Sequence, residues 1–128
     1  MTPAVPPPEG HWHAYTYTGP WKPEDRAARA PASPAPPLLV RDRLRKPRAL
    51  LAATFTEPGA APAWLARETA EAPPLPTALP AATVLAYARE RLPAYPYDLV
   101  TRYYTASTYV CRDLVWCEGA PGACPGAP

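Results

Sequence analysis

Three cysteines and two histidines are the side chains of this chain best suited to metal or redox chemistry. Cys111, Cys117 and Cys124 are separated by five and six residues, whereas His11 and His13 lie near the start of the 128 residues. Zinc knuckles need closely spaced ligand pairs and usually four ligands. A histidine could complete such a set only through a long-range contact that the sequence does not support. We therefore expect inert thiols, no bound metal and no cofactor, with a zinc site or a late disulfide as alternatives.

The two histidines lie on the same side of an extended segment. Side chains alternate along a strand, so His11 and His13 share one side of residues 11–18, while Trp12 and Ala14 share the other. Such a pair can bind a divalent metal, but Glu9 is the only carboxylate placed to complete the site. The alternation predicts a strand-like arm whose histidines rest on a partner.

Catalytic motifs are missing from the sequence. Ser33 lies in a proline-rich linker, and Ser107 lacks the flanking glycines of a hydrolase nucleophile elbow. The chain has neither a GxGxxG pattern nor a Walker phosphate loop. We expect no enzymatic activity.

The composition argues against an ordinary core. Proline accounts for 22 residues, and the chain has no isoleucine and one phenylalanine, so much of its 48% hydrophobic content is alanine. Ordering each residue costs roughly 1–2 kcal/mol, and burial returns about 25 cal/mol per Å² of apolar surface. The expected fold class is mostly irregular and extended, with three or four short α-helices and no compact independent domain.

Neither a secretory signal nor an apolar run of about 20 residues is present, which predicts an intracellular protein without a membrane span.

Proline-rich stretches divide the chain into five segments. They are an extended proline-rich aromatic arm and linker (1–37), a basic strip with short helices (38–72), a proline-rich linker and helix (73–93), a tyrosine-rich docking segment (94–117) and a turn-rich tail (118–128).

Local patterns predict where short elements form. Two helical turns are expected over 38–46, and Pro47 can open a second helix with Leu50, Leu51 and Phe55 on an apolar side. Further helices are expected over 62–71 and 80–92, each beginning at a proline. Threonine and tyrosine enrichment favours extended structure over 103–110.

Residues 41–48 of the basic strip could contact nucleic acid, because clustered arginines neutralise phosphates. Aromatic residues for base stacking are not interleaved with this stretch, and the net charge of the chain is only +2. A solvated helix face or an acidic protein partner is the favoured interpretation, with a nucleic-acid adaptor as the alternative.

Tyrosine and tryptophan are concentrated on segments separated by linkers, a pattern typical of binding hot spots. The alternative is a small core built from these same rings. The predicted partner-binding residues are Trp12, Tyr15, Tyr17, Trp21, Arg41, Arg43, Arg45, Arg48, Trp64, Tyr97, Tyr103, Tyr104, Tyr109 and Trp116.

Two stretches, YTYTGPW at 15–21 and YTASTY at 104–109, resemble segments of the small proline- and tyrosine-rich microtubule inner proteins. Those proteins line the doublet microtubules of cilia and flagella. The resemblance implies a structural protein of the axoneme that stabilises the lattice, with tubulin and neighbouring lumen proteins as partners. Alternatives are a supernumerary subunit of a respiratory, ribosomal or capsid assembly, and a small self-folding domain.

Overall fold

A four-stranded antiparallel sheet forms the centre of the molecule. The computed structural model describes residues 10–30, 32–57, 59–92, 98–118 and 124. Within them the strand order is β2-β1-β4-β3. The strands are β1 (Gly10–Gly19), β2 (Ala53–Phe55), β3 (Leu99–Tyr104) and β4 (Tyr109–Glu118).

The two long strands β1 and β4 pair along their whole length and form the middle of the sheet. Gly10 lies opposite Glu118, and Gly19 lies opposite Tyr109. Trp12 faces Trp116 in this register, with ring centroids 4.6 Å apart and an interplanar angle of 65°. Cross-strand aromatic pairs of this kind stabilise a sheet beyond their buried area.

Strand β4 is buried from Tyr109 to Cys117. A strand that is buried on both sides has both faces of its sheet covered. Strand β3, at the sheet edge, alternates between buried and more exposed residues. It connects to β4 through a tight turn that Thr105 closes, because its backbone N–H donates to the Thr108 carbonyl at 2.8 Å and its hydroxyl contacts the Thr108 hydroxyl at 2.6 Å.

Two helices cover one face of the sheet. They are α2 (Ala60–Glu71) and α3 (Ala81–Arg91); a third, α1 (Asp25–Ala28), is a single turn. The larger apolar cluster lies between these helices and the strands, and its members are Trp12, Ala14, Ala61, Trp64, Leu65, Ala88, Leu92, Leu99, Leu114 and Trp116.

The opposite face is covered by irregular chain and two 3₁₀ helices, Val40–Arg45 and Arg48–Leu50. Tyr15, Leu44, Val115 and Cys117 form a second, smaller buried cluster there. The sheet is therefore the middle of three layers, with helices on one side and proline-rich chain on the other.

The Lys46 side chain holds in place a proline-rich segment that has no regular backbone pairing of its own. Its ammonium group is buried and donates to the carbonyls of Ala28, Ala30 and Ser33 at 2.9, 3.3 and 2.6 Å. Burial lowers the pKa of Lys46 below 10.5, with a smaller effect from Arg43. A single side chain thus supplies donors to three carbonyls that lie outside helix and sheet.

The expected fold class, mostly irregular and extended without a compact domain, is wrong. The described residues form a sheet with a core on both faces. The core is built with residues that the composition argument discounted: Ala14, Ala61 and Ala88 are all fully buried. Alanine permits close approach of helix and sheet, and tryptophan rings fill the remaining volume.

The local predictions have mixed outcomes. The strand over 11–18 and the helices over 62–71 and 80–92 are confirmed as β1, α2 and α3. The turns over 38–46 form a 3₁₀ helix. The helix opening at Pro47 is wrong, because the chain leaves its 3₁₀ turn after Leu50 and pairs with β1 as β2. Predictions for residues 1–9 and most of the tail lie outside the described residues.

Candidate metal centre

Four potential metal ligands meet at the edge of the smaller cluster. The ligand atoms of His11, His13, Cys117 and Cys124 all lie within 4.8 Å of one another. The His11 and His13 Nε2 atoms are 3.0 Å apart, and the Cys124 Sγ atom is 3.1 Å from the first and 3.2 Å from the second. Two imidazoles and two thiols thus point at one common position.

These separations are about 0.3–0.5 Å shorter than the ligand edges of a tetrahedral zinc ion, so a small widening of the cluster would accommodate the ion. With Zn–N of about 2.05 Å and Zn–S of about 2.3 Å, ligand edges are about 3.3 Å between nitrogens and about 3.6 Å between nitrogen and sulfur. Three mutually close N and S atoms cannot all be satisfied by linear hydrogen bonds to one another. A shared cation satisfies all of their lone pairs at once.

Strand geometry positions three of the four ligands. Alternation along β1 turns His11 and His13 to the same face, and the β1–β4 register sets Cys117 directly opposite His11. Cys124 comes from beyond the end of β4. Its carbonyl accepts a hydrogen bond from the Arg48 guanidinium at 3.5 Å.

The site is largely closed to solvent. His11 is fully buried, His13 and Cys117 are each 3% exposed, and Cys124 is half-buried. Burial, followed by His11 and Arg48, lowers the pKa of His13 from 6.5 to about 4, so its imidazole is neutral at pH 7. Burial and the neighbouring Cys124 raise the pKa of the Cys117 thiol to about 11. A bound cation would make its thiolate favourable there.

Thr54 orients one of the ligands. Its hydroxyl oxygen lies 3.2 Å from Nδ1 of His13, on the ring side opposite the cluster. When Nδ1 carries the proton and donates it to Thr54, Nε2 presents a lone pair to the common position. Metal-binding histidines are held in this manner by an outer partner.

We expect Thr54→Val to weaken zinc binding by about 10–100-fold, the usual effect of removing an outer partner. Valine keeps the branched shape that suits strand β2. Competition with a chromophoric chelator measures the zinc affinity, and Thr54→Ser, which retains the hydroxyl, is the matched control. Equal affinities of Thr54→Val and wild type would exclude this orienting role.

The arrangement favours a structural metal site. Catalytic zinc keeps one position open for water, whereas structural zinc has four protein ligands. Here four protein side chains surround the common position, and three of them are buried. Two thiolates with two imidazoles in a tetrahedron is also a ligand set typical of zinc.

Most of the predicted aromatic anchors lie inside the fold. Burial in the chain's own core accounts for this group, so these rings are not available to a partner in this structure. Its members are Trp12, Tyr15, Trp64, Tyr103, Tyr109 and Trp116. Tyr17 is half-buried, Trp21 is 69% and Tyr104 47% exposed, and Tyr97 lies outside the described residues.

The predicted basic strip is not one surface. Arg41, Arg45 and Arg48 are exposed, but Arg43 is 1% exposed and pairs with Asp113. The Nε–H of Arg43 donates to Asp113 Oδ2 at 2.9 Å, and its guanidinium lies 5.2 Å from the centre of the Tyr15 ring. Arg43 thus belongs to the interior of the chain.

The sequence contained part of the signal for the metal centre. The His11-x-His13 spacing indicated two imidazoles on one side of a strand, which is what β1 provides. The missing information was the pairing of β1 with β4, which joins residues 90 to 108 positions apart. Once that register is known, His11 opposite Cys117 follows directly.

Comparisons with known proteins provide no relative to guide the assignment. No protein-family model matches the chain, and neither the curated proteins nor the solved structures contain a match. Among the described residues, no helix has both the length and the apolar character needed to cross a membrane.

Proposed function

We propose that this chain is a zinc-binding structural protein in which one ion joins the end of the sheet to the segment that follows it. The convergence of four ligand atoms within 4.8 Å carries the proposal. His11 and His13 supply imidazole nitrogens from β1, while Cys117 and Cys124 supply thiolates from the C-terminal part of the chain. The ion's role is to hold the fold, because the ligand set leaves no position for a substrate.

Surrounding contacts support a site of defined shape. His13 is held by Thr54 of β2, and the Cys124 backbone is held by Arg48. Val40 and Leu51 pack against the cluster that contains Cys117. These contacts come from separate parts of the chain, so the ion would join several segments at once.

Elemental analysis of the protein purified under reducing conditions tests this function. We expect one zinc per chain in the wild type and near-complete loss in Cys124→Ser, whose side chain is the least buried of the four. The matched control is Cys111→Ser, because Cys111 is buried in the same strand as Cys117 but is not one of the four ligands. A wild type without stoichiometric zinc would refute the proposal, as would equal zinc loss in both variants.

Binding to a larger assembly remains a prediction. Large apolar side chains on the surface are its remaining support, with Trp21 69%, Leu38 78% and Leu39 66% exposed. The microtubule-lumen assignment also stays a prediction and depends on the two short stretches at 15–21 and 104–109. Crosslinking in an axonemal extract would test it, with tubulin crosslinks from the exposed Lys22 as the expected result.

A further inference from the structure

Two of the four proposed ligands of the metal centre are cysteines, Cys117 and Cys124. Sγ of Cys117 and Sγ of Cys124 both lie within the 4.8 Å spread of the cluster, whereas Cys111 lies outside it. Six residues separate them, so a bond between these sulfurs would close a short loop. We propose that the centre is a redox switch, in which hydrogen peroxide oxidises Cys117 and Cys124 to a disulfide and the zinc ion is released. This inference rests on the proposed function.

Exposure decides which sulfur reacts first. Cys124 is half-buried, whereas Cys117 is only 3% exposed. Oxidation of cysteine follows thiolate character and access. Zinc maintains thiolate character in its ligands, so Cys124 is the thiolate that a small peroxide can reach.

The reaction balances with one peroxide per site. The Cys124 thiolate attacks one peroxide oxygen, the O–O bond breaks, and a sulfenic acid and hydroxide form. The Cys117 thiolate then attacks the Cys124 sulfur, the S–O bond breaks, the S–S bond forms and a second hydroxide leaves. Two electrons pass from the two sulfurs to the peroxide, which yields two waters after protonation, and zinc keeps its charge.

Loss of both sulfur ligands to a single disulfide explains the release. After oxidation only His11 and His13 remain as ligands, and two imidazoles do not complete a tetrahedral zinc set. The C-terminal segment then remains attached to Cys117 through the disulfide but no longer shares an ion with β1. A dithiol reductant regenerates both thiols by thiol–disulfide exchange and is itself oxidised to a disulfide, so the change is reversible.

Cys111 is the third cysteine of the chain, and its reactivity with peroxide can be compared with that of Cys117 and Cys124. It is fully buried and lies on the same strand as Cys117. Burial raises the pKa of the Cys111 thiol above 9, with a further effect from Asp113. Buried, protonated thiols react slowly with peroxide. Cys111 should therefore remain reduced while the other two cysteines are oxidised.

The test treats the zinc-loaded full chain with hydrogen peroxide. Released zinc is followed with a chromophoric chelator, and cysteine pairing is mapped by mass spectrometry of peptides. We expect one zinc released per Cys117–Cys124 disulfide formed, with rebinding after reduction and zinc addition. Cys111→Ser should release zinc at the wild-type rate. If this variant does not fold, the disulfide map of the wild type still shows whether Cys117 pairs with Cys124.

Each failure has its own signature. Protein that carries no zinc before oxidation would refute the proposed function and this inference together. Protein that carries zinc but retains it in peroxide would refute the switch alone. Zinc release with a sulfinic acid at Cys124, or with a disulfide to Cys111, would also refute it, because neither product is the reversible Cys117–Cys124 pair.

Discussion

Removal of zinc is expected to lower the melting temperature of this chain by roughly 10–20 °C. A ligand present at 1,000 times its dissociation constant stabilises the folded state by about 4 kcal/mol. For a chain of this size each kcal/mol shifts the melting temperature by roughly 3–5 °C. The proposed ion would join β1 to Cys124 beyond the end of β4, so its loss would affect the central strand pair.

Calorimetry with and without a strong chelator measures this shift. Cys111→Ser is the control: it alters a buried residue of β4 outside the cluster, so its own melting temperature can change while the chelator-induced difference stays the same. Cys124→Ser should melt at the same temperature in both conditions. A wild type that is insensitive to the chelator would mean that no metal supports the fold.

Asp113→Asn is expected to destabilise the protein by about 3–5 kcal/mol, the cost of leaving a buried charge without its partner. Asp113 is fully buried, and its Oδ2 accepts from Arg43 at 2.9 Å and from Arg102 at 3.3 Å. Arg43 is itself only 1% exposed. Asparagine keeps the shape but removes the negative charge that balances these guanidinium groups.

Urea unfolding gives the free energy of unfolding for this comparison. The matched control is Arg41→Gln, because Arg41 pairs with Asp98 at 3.1 Å but its side chain is 56% exposed. Exposed pairs contribute about 0–1 kcal/mol. An Arg43→Met, Asp113→Leu double variant should regain part of the loss, since apolar replacements of buried ion pairs are often tolerated. Equal effects of Asp113→Asn and Arg41→Gln would contradict a charge-paired interior.

Helices and strands could be predicted from the sequence where a few neighbouring residues determine them. Pro62 and Pro80 indicated the starts of two helices to within two residues, and side-chain alternation indicated strand β1. The extended structure expected over 103–110 was right only at its two ends, because residues 105–108 form the turn between β3 and β4. The helix expected after Pro47 failed because Leu51 and Phe55 also suit a strand. Pairing of Ala53–Phe55 with β1 decided between the two.

The core was underestimated because composition counts residue types and not their positions. Ala14, Ala61 and Ala88 contribute little apolar area each, but all three lie where helices meet the sheet. Trp12 and Trp116 fill the space beside them. A chain poor in leucine, isoleucine and valine can therefore form an interior if small and very large residues face each other.

The central pairing of β1 with β4 has a consequence for biosynthesis. Gly10 leaves the ribosome long before Glu118, which pairs with it. At translation rates of about 5–20 residues per second, the interval between them is roughly 5–20 s. During this interval the nascent chain lacks the strand that covers Trp12 and its apolar neighbours, so the central pair of the sheet can form only after Glu118 has been synthesised.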